Sequence, residues 1–289
     1  MRTKTLAAML ATLLAATSFA GQPMRIDQLG AAGPPVLFIP GLNSHADLWQ
    51  PWAEKLASAE PGHRSFLITP AGFAGVTPYK LGDGFHAGLL PGLSALLEAE
   101  DLHNVTVVGH SAGGLVALML AHREPERVRS VLVVDSLPFL AGLFMPGATP
   151  QQAADQAAAM AQQMTASSES AYREQQAMTL PTYAKTSTFL STLQAWSAES
   201  DRATSIAAFK DTLATDFRPV LPEITQPVLV LAAWDAAMGV PKDHIDALYT
   251  VQYDGLPNGS VRIVADSFHF VVIDQPTAFD DALAEVLGR

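Results

Sequence analysis

The chain has 289 residues, 49% apolar and 16% charged, a balance that fills a large core and excludes a disordered chain. Its 17 basic and 28 acidic residues give a net charge of −11 with no Lys/Arg cluster, which argues against nucleic acid or an anionic membrane as partner. Cysteine is absent, so disulfides, thiol catalysis, thiolate-held metals and a cysteine-linked lipid anchor are excluded.

The chain starts with a leader pattern. Arg2 and Lys4 form a positive start, Leu6 to Ala16 is an uncharged apolar run, and Ser18-Phe19-Ala20 supplies small residues at a cleavage site. This predicts a secretory signal peptide over 1–20, a periplasmic or secreted protein, and no stable membrane anchor after cleavage. The run is too short to span a bilayer comfortably.

Six short apolar runs follow: Val36–Ile39, Phe66–Thr69, Val105–Val108, Val131–Val134, Val228–Leu231 and Val261–Val264. They do not alternate with polar residues, so each reads as a strand buried on both faces. Helical patterns lie between them at Leu48–Ala57, Leu89–Leu102 and Ala112–His122, and a last one runs from Pro276 to Leu287, with Gly288 as its stop. Strands alternating with helices predict an α/β fold with a mostly parallel sheet covered on both faces. From Leu137 to about Thr215 the pattern is helical only, at Pro150–Met164, Thr186–Trp196 and Arg202–Leu213. The expected organisation is therefore a core of residues 21–136 and 216–289 with a helical cap insertion over 137–215. A plain connection is rarely that long, and this one leaves the carboxyl end of a strand, where ligands bind in open α/β sheets.

Gly109-His110-Ser111-Ala112-Gly113 carries the chemistry. A serine between glycines on a sharp strand-to-helix turn is held clear of the backbone at a helix N-terminus. The pentapeptide alone is weak, but here a strand precedes it and an Ala/Leu-rich helix follows it. A base must come later in the chain, after a carboxylate. His244 lies in the polar stretch Pro241-Lys242-Asp243-His244, whereas His269 follows the last strand, at the sheet end expected for Ser111. Asp235 follows the penultimate strand and is assigned as the acid that orients His269. Asp135, at the end of the strand 131–134, is the competing carboxylate. No histidine–carboxylate cluster has metal-ligand spacing, and neither metal nor cofactor is expected.

With these residues the chain resembles the α/β-hydrolase superfamily, in its branch of capped bacterial serine esterases. Asp216-Phe217-Arg218-Pro219-Val220-Leu221 with Pro227-Val228-Leu229 is similar to the family's return from cap to sheet. His269-Phe270 through Asp274-Gln275-Pro276 is similar to its catalytic-histidine segment, with Phe268 where the family often has glycine. Ser111 at the elbow argues against the family's aspartate-dependent dehalogenases and epoxide hydrolases. The resemblance implies an oxyanion hole made by the backbone N–H groups of Leu42, in Pro40-Gly41-Leu42-Asn43, and Ala112. It implies hydrolysis of a carboxylic ester through an acyl-serine. An amidase, aminopeptidase, lactonase or perhydrolase would use the same triad, and a binding protein that kept the fold but lost catalysis is a further alternative. Phe139, Leu143, Phe144, Met145, Met160 and Met164 give the cap an apolar surface. If it roofs the site, the substrate is a small molecule with an apolar acyl or alcohol group.

Overall fold

The computed structural model describes residues 23–80, 82 and 84–288. The expected leader lies outside them, and among the described residues no helix is long and apolar enough to cross a membrane. Seven strands form one sheet: β1 (Met24–Leu29), β2 (Pro35–Ile39), β3 (Arg64–Pro70), β4 (Val105–His110), β5 (Val128–Val134), β6 (Val228–Trp234) and β7 (Gly259–Ala265). Their spatial order is β1-β3-β2-β4-β5-β6-β7, parallel except for β1, which runs antiparallel to β3.

The apolar runs of the inner strands are covered on both faces, whereas the last run lies in the edge strand β7, which leaves Gly259, Ser260, Arg262 and Ala265 exposed. Along β2, Leu37 and Ile39 enter one core while Val36 and Phe38 enter the other. Alternate residues of β5 and β6 divide the same way, Val131, Val133, Val228 and Val230 against Leu132, Val134, Leu229 and Leu231. Helices α1 (Gln50–Ala57), α2 (Phe85–Ala99) and α3 (Ala112–Arg123) lie between the early strands. Apolar residues of α2 and α3 join the first core, with Leu93, Leu97 and Leu120 fully buried, and Trp52 and Leu56 of α1 join the second. At roughly 1.5–3 kcal/mol for each large side chain buried, these two layers are the main stabilising term.

Between β5 and β6 the described residues hold only helices: α4 (Ala141–Phe144), α5 (Pro150–Ala166), α6 (Glu169–Thr179), α7 (Ser187–Glu199) and α8 (Arg202–Ala214). Thr149 and Gln152 start α5 with a reciprocal capping box. Ala153 and Ala157 of α5 pack with Leu213 of α8, small residues that let the two helices approach closely. The insertion is tied to the loops above the sheet: Asp201 N–H donates to the Gly72 carbonyl at 2.7 Å, Ala74 N–H to Ser200 Oγ at 2.9 Å, and Phe85 N–H to the Asp211 carboxylate at 2.6 Å. After β6 come α9 (Lys242–Tyr253), α10 (Val271–Asp274) and α11 (Pro276–Leu287), with Phe279 and Leu283 of α11 closing the second core.

The topology positions the site. From β2 the chain crosses to β3 on one side and then to β4 on the other, and Ile39 lies beside Gly109 in the register. The loops leaving β2 and β4 therefore diverge from neighbouring strand ends, the crevice where ligands bind in open α/β sheets.

Candidate active site

Ser111 sits between β4 and α3 with φ 53° and ψ −125°, a backbone conformation that costs a non-glycine residue about 1–3 kcal/mol. Its neighbours force it. A Cβ on Gly113 would stand 2.4 Å from the carbonyl oxygens of Ile39 and Pro40, and one on Gly109 would stand 2.2 Å from the Gly113 carbonyl oxygen. Only glycine allows α3 to start this close to β2 and β4. The Ser111 N–H is pinned to the Val134 carbonyl at 2.9 Å.

The loop after β2 runs against this turn. A Cβ on Gly41 would lie 3.0 Å from Ser111 Cβ, and the Gly41 carbonyl accepts from Ser44 N–H at 3.2 Å to close a tight turn around Leu42. Ala112 is the first residue of α3, where helix N–H groups lack intrahelical partners. Leu42 and Ala112 are thus on the two segments that flank Ser111.

His269 lies on the loop between β7 and α10. Its Nδ1 is 2.6 Å from Oδ2 of Asp135, the residue directly after β5. Asp135 is itself strained, at φ 44°. Its N–H donates to the Leu231 carbonyl at 2.7 Å, and its Oδ1 accepts from Ala233 N–H and from the Tyr249 hydroxyl, each at 2.8 Å. The carboxylate is thereby fixed by a strand, a helix and the histidine together. Burial, with the Asp135 charge alongside, pushes the Tyr249 hydroxyl well above its ordinary ionisation range, so it remains a donor. Tyr253, raised likewise by burial and Asp135, donates to the Ser136 carbonyl at 2.7 Å.

The acid assigned from sequence is corrected here. The carboxylate bonded to His269 is that of Asp135, not Asp235. Both aspartates satisfy the chain order, but β5 adjoins β4 whereas β6 lies one strand further away. Asp235 is engaged elsewhere: Oδ1 accepts from Ala237 N–H at 2.7 Å and Oδ2 from Lys185 Nζ at 2.6 Å. The Lys185 ammonium and that N–H hold the Asp235 carboxyl below its usual range.

His110 links the two loops. Its Nε2 donates to the His269 carbonyl at 3.0 Å, and its ring lies 4.5 Å from that of His269 and 4.3 Å from that of Phe270. Burial, then the neighbouring His269, lowers its pKa well below the usual value, so it is neutral.

Three of the four pocket candidates, Phe139, Met145 and Met160, share a cluster of their own. Phe139 is buried under the Arg218 guanidinium, 4.3 Å from the ring centre, in the cluster with Ala153, Ala157 and Leu213 that Met145 and Met160 also join. Phe144 is 65% exposed. Met145 lines a surface depression with Pro146, Ala148 and Gln152, which holds neither Ser111 nor His269. Aromatic side chains of the α6–α7 region also meet the histidine loop. The Tyr183 ring is 5.6 Å from His269, Phe189 is 5.0 Å from Phe270, and Trp196 is 5.9 Å from Phe189 and 6.2 Å from His45. No group of three His, Cys, Asp or Glu side chains suited to a metal ion occurs among the described residues.

A family model described as the alpha/beta hydrolase fold matches residues 34–276. The chain belongs to this family. The hydrolase is 24% identical over 274 residues to a proposed carbamate hydrolase, RutD, of Azorhizobium caulinodans, a match covering 91% of this chain and 94% of that protein. It is 32% identical over 120 residues to the pimeloyl-acyl-carrier-protein methyl ester esterase of Aeromonas salmonicida, covering 41% of this chain and 44% of that one. Among solved structures it is similar to a hydrolase from Pseudomonas aeruginosa PA01, with a TM-score of 0.74, 20% identity and coverage of 98% of this chain and 100% of that chain. Family and relatives together make the chain a hydrolase; the solved structure speaks for the fold.

Tyr249 gave no sequence signal beyond its place in a helix, yet it supplies one of three donors to Asp135. Tyr249→Phe is expected to lower stability by about 1.5–3 kcal/mol near neutral pH, the scale of a hydrogen bond to a charged group. In the native protein, stability should fall as pH rises past about 10, because unfolded tyrosine then loses a proton that buried Tyr249 keeps. Denaturant melts of the two proteins at neutral and alkaline pH check this: the variant should lose less on the alkaline side.

Proposed function

We propose that this hydrolase cleaves a small carboxylic ester through an acyl-serine intermediate. Ser111 Oγ attacks the carbonyl carbon. His269 takes the hydroxyl proton through Nε2 and returns it to the leaving alkoxide. Asp135 fixes the Nδ1–H tautomer and stabilises the imidazolium. The Leu42 and Ala112 N–H groups receive the developing oxyanion. Water then hydrolyses the acyl-serine by the same steps in reverse roles. The observation that carries this reading is the 2.6 Å contact of His269 Nδ1 with Asp135, made on the loop that also meets the strained Ser111 turn through His110. A binding protein without catalysis has no use for a serine held at φ 53° or for an acid fixed by three hydrogen bonds.

Relatives named for esterase and carbamate hydrolase activity support hydrolysis at an acyl carbon as the reaction. We take an uncharged or weakly charged substrate with an apolar acyl or alcohol group, met outside the cytoplasm, because the protein is acidic and its N-terminus has the leader pattern. The test is a panel of p-nitrophenyl esters, aryl carbamates, lactones and aminoacyl amides on the purified protein, with fluorophosphonate labelling. Ester turnover and a label on Ser111 are expected. Turnover of amides alone would move the assignment to the amidases, and an unlabelled Ser111 would remove the acyl-serine.

A further inference from the structure

One cap segment is seated directly on the histidine loop. The carbonyl of Tyr183 accepts from Phe270 N–H at 2.9 Å. Asp274 takes Lys185 N–H on Oδ1 and Phe268 N–H on Oδ2, both at 2.9 Å. The residues on both sides of His269 are therefore held by this strap, one directly and one through Asp274. The apolar hold of the strap is limited to Ala184 and to the Tyr183 ring, 5.6 Å from that of His269 and 6.5 Å from that of Phe270. Ala184 is buried, but Pro181, Thr182, Tyr183, Lys185 and Thr186 are exposed. Its ion pair is Lys185 Nζ on Asp235 Oδ2, at 2.6 Å. Asp235 is a firm post, because it follows β6 directly and its other oxygen caps the turn at Ala237. The Lys185 ammonium also lies 5.9 Å from the centre of the Phe268 ring.

We propose that Lys185 is a positioning residue: paired with Asp235, it latches the cap strap 183–185 onto the histidine loop and thereby sets the orientation of His269. The carboxylate at the end of β6 then serves the reaction through the cap rather than through the imidazole. A segment held by a few polar tethers opens at low cost. A catalytic base displaced by about 1 Å loses up to ~10²-fold in rate. The latch thus couples cap seating to turnover. It rests on the assignment of Ser111, His269 and Asp135 to the reaction.

The test uses the whole protein, with p-nitrophenyl acetate as the probe and a thermal melt alongside. Lys185→Met and Asp235→Asn should each lower kcat by about tenfold to 10²-fold, with KM for this small ester little changed. Asn keeps an oxygen for the Ala237 N–H, so the second variant removes the charge and not the cap. The double variant should be no slower than the slower single one, since both remove one interaction. Lys185→Arg should retain most of the native rate. Added salt should slow the native protein and leave Lys185→Met unaffected. A native kcat in Lys185→Met overturns the latch, whether or not the melting point falls, and so does additivity of the two losses. A loss near 10⁴-fold in Asp235→Asn with none in Lys185→Met would make Asp235 an acid and also overturn it. Failure of the underlying reading looks different: Ser111→Ala or Asp135→Asn would then stay active. If both of those are dead while Lys185→Met is native-like, the latch alone fails.

Discussion

Replacing Ser111 by Ala or by Gly is expected to lower ester turnover by at least about 10⁴-fold, the scale on which loss of a triad nucleophile is felt. The two variants should part company in stability. At φ 53° the serine backbone is strained, and alanine has the same Cβ and keeps the strain. Glycine has none at positive φ, although its unfolded chain gains entropy worth about 0.5–1 kcal/mol. The balance predicts a Ser111→Gly protein about 1 kcal/mol more stable than Ser111→Ala, measured by denaturant melts. Dead enzyme with that stability order is the signature of a turn strained to present a nucleophile. Turnover above about a tenth of native in either variant would remove Ser111 from the reaction.

The parts of the molecule legible in the sequence are those set by local pattern. The runs at Val36, Phe66, Val105, Val131 and Val228 fall within inner strands, which are covered on both faces and so must be largely apolar; the run at Val261 also falls in a strand, but in the edge strand β7, where Arg262 is exposed. Strand β1 has no such run. Arg25, Asp27 and Gln28 interrupt it, as an antiparallel edge strand with partly exposed residues allows. The turn at Ser111 and the place of His269 after β7 could be read from a motif and from a strand end. The partner of His269 could not, since the order of residues admits Asp135 and Asp235 equally. Strand adjacency decides between them, and that is a tertiary fact. The packing of the pocket candidates was hidden for a similar reason. Phe139 and Met160 bury their apolar surface against α8, which a one-dimensional pattern cannot distinguish from surface offered to a ligand. Tyr183 and Lys185 lie in a short irregular stretch with no periodicity to mark it.

Asp135→Asn is expected to cost about 10⁴-fold in kcat, against about tenfold to 10²-fold for Asp235→Asn. The asymmetry comes from proton placement. In the proposed mechanism Asp135 Oδ2 accepts from His269 Nδ1–H, which would leave Nε2 free to take the proton of Ser111. An asparagine at 135 can still accept from Ala233 N–H and the Tyr249 hydroxyl with its one oxygen, so the fold survives. Its amide nitrogen then faces Nδ1 and can only donate. That stabilises the other tautomer, with the proton on Nε2, where it cannot act as a base toward serine. Nor can the neutral amide stabilise the imidazolium that forms in the transition state. No such inversion follows at 235, where the partners are an N–H and an ammonium rather than the imidazole. Steady-state rates of both variants on p-nitrophenyl acetate, with melts showing both are folded, decide the matter. Asp235→Asn as the slower enzyme would return the acid to the end of β6 and would mean that the cap opens and Asp235 exchanges Lys185 for His269 during turnover.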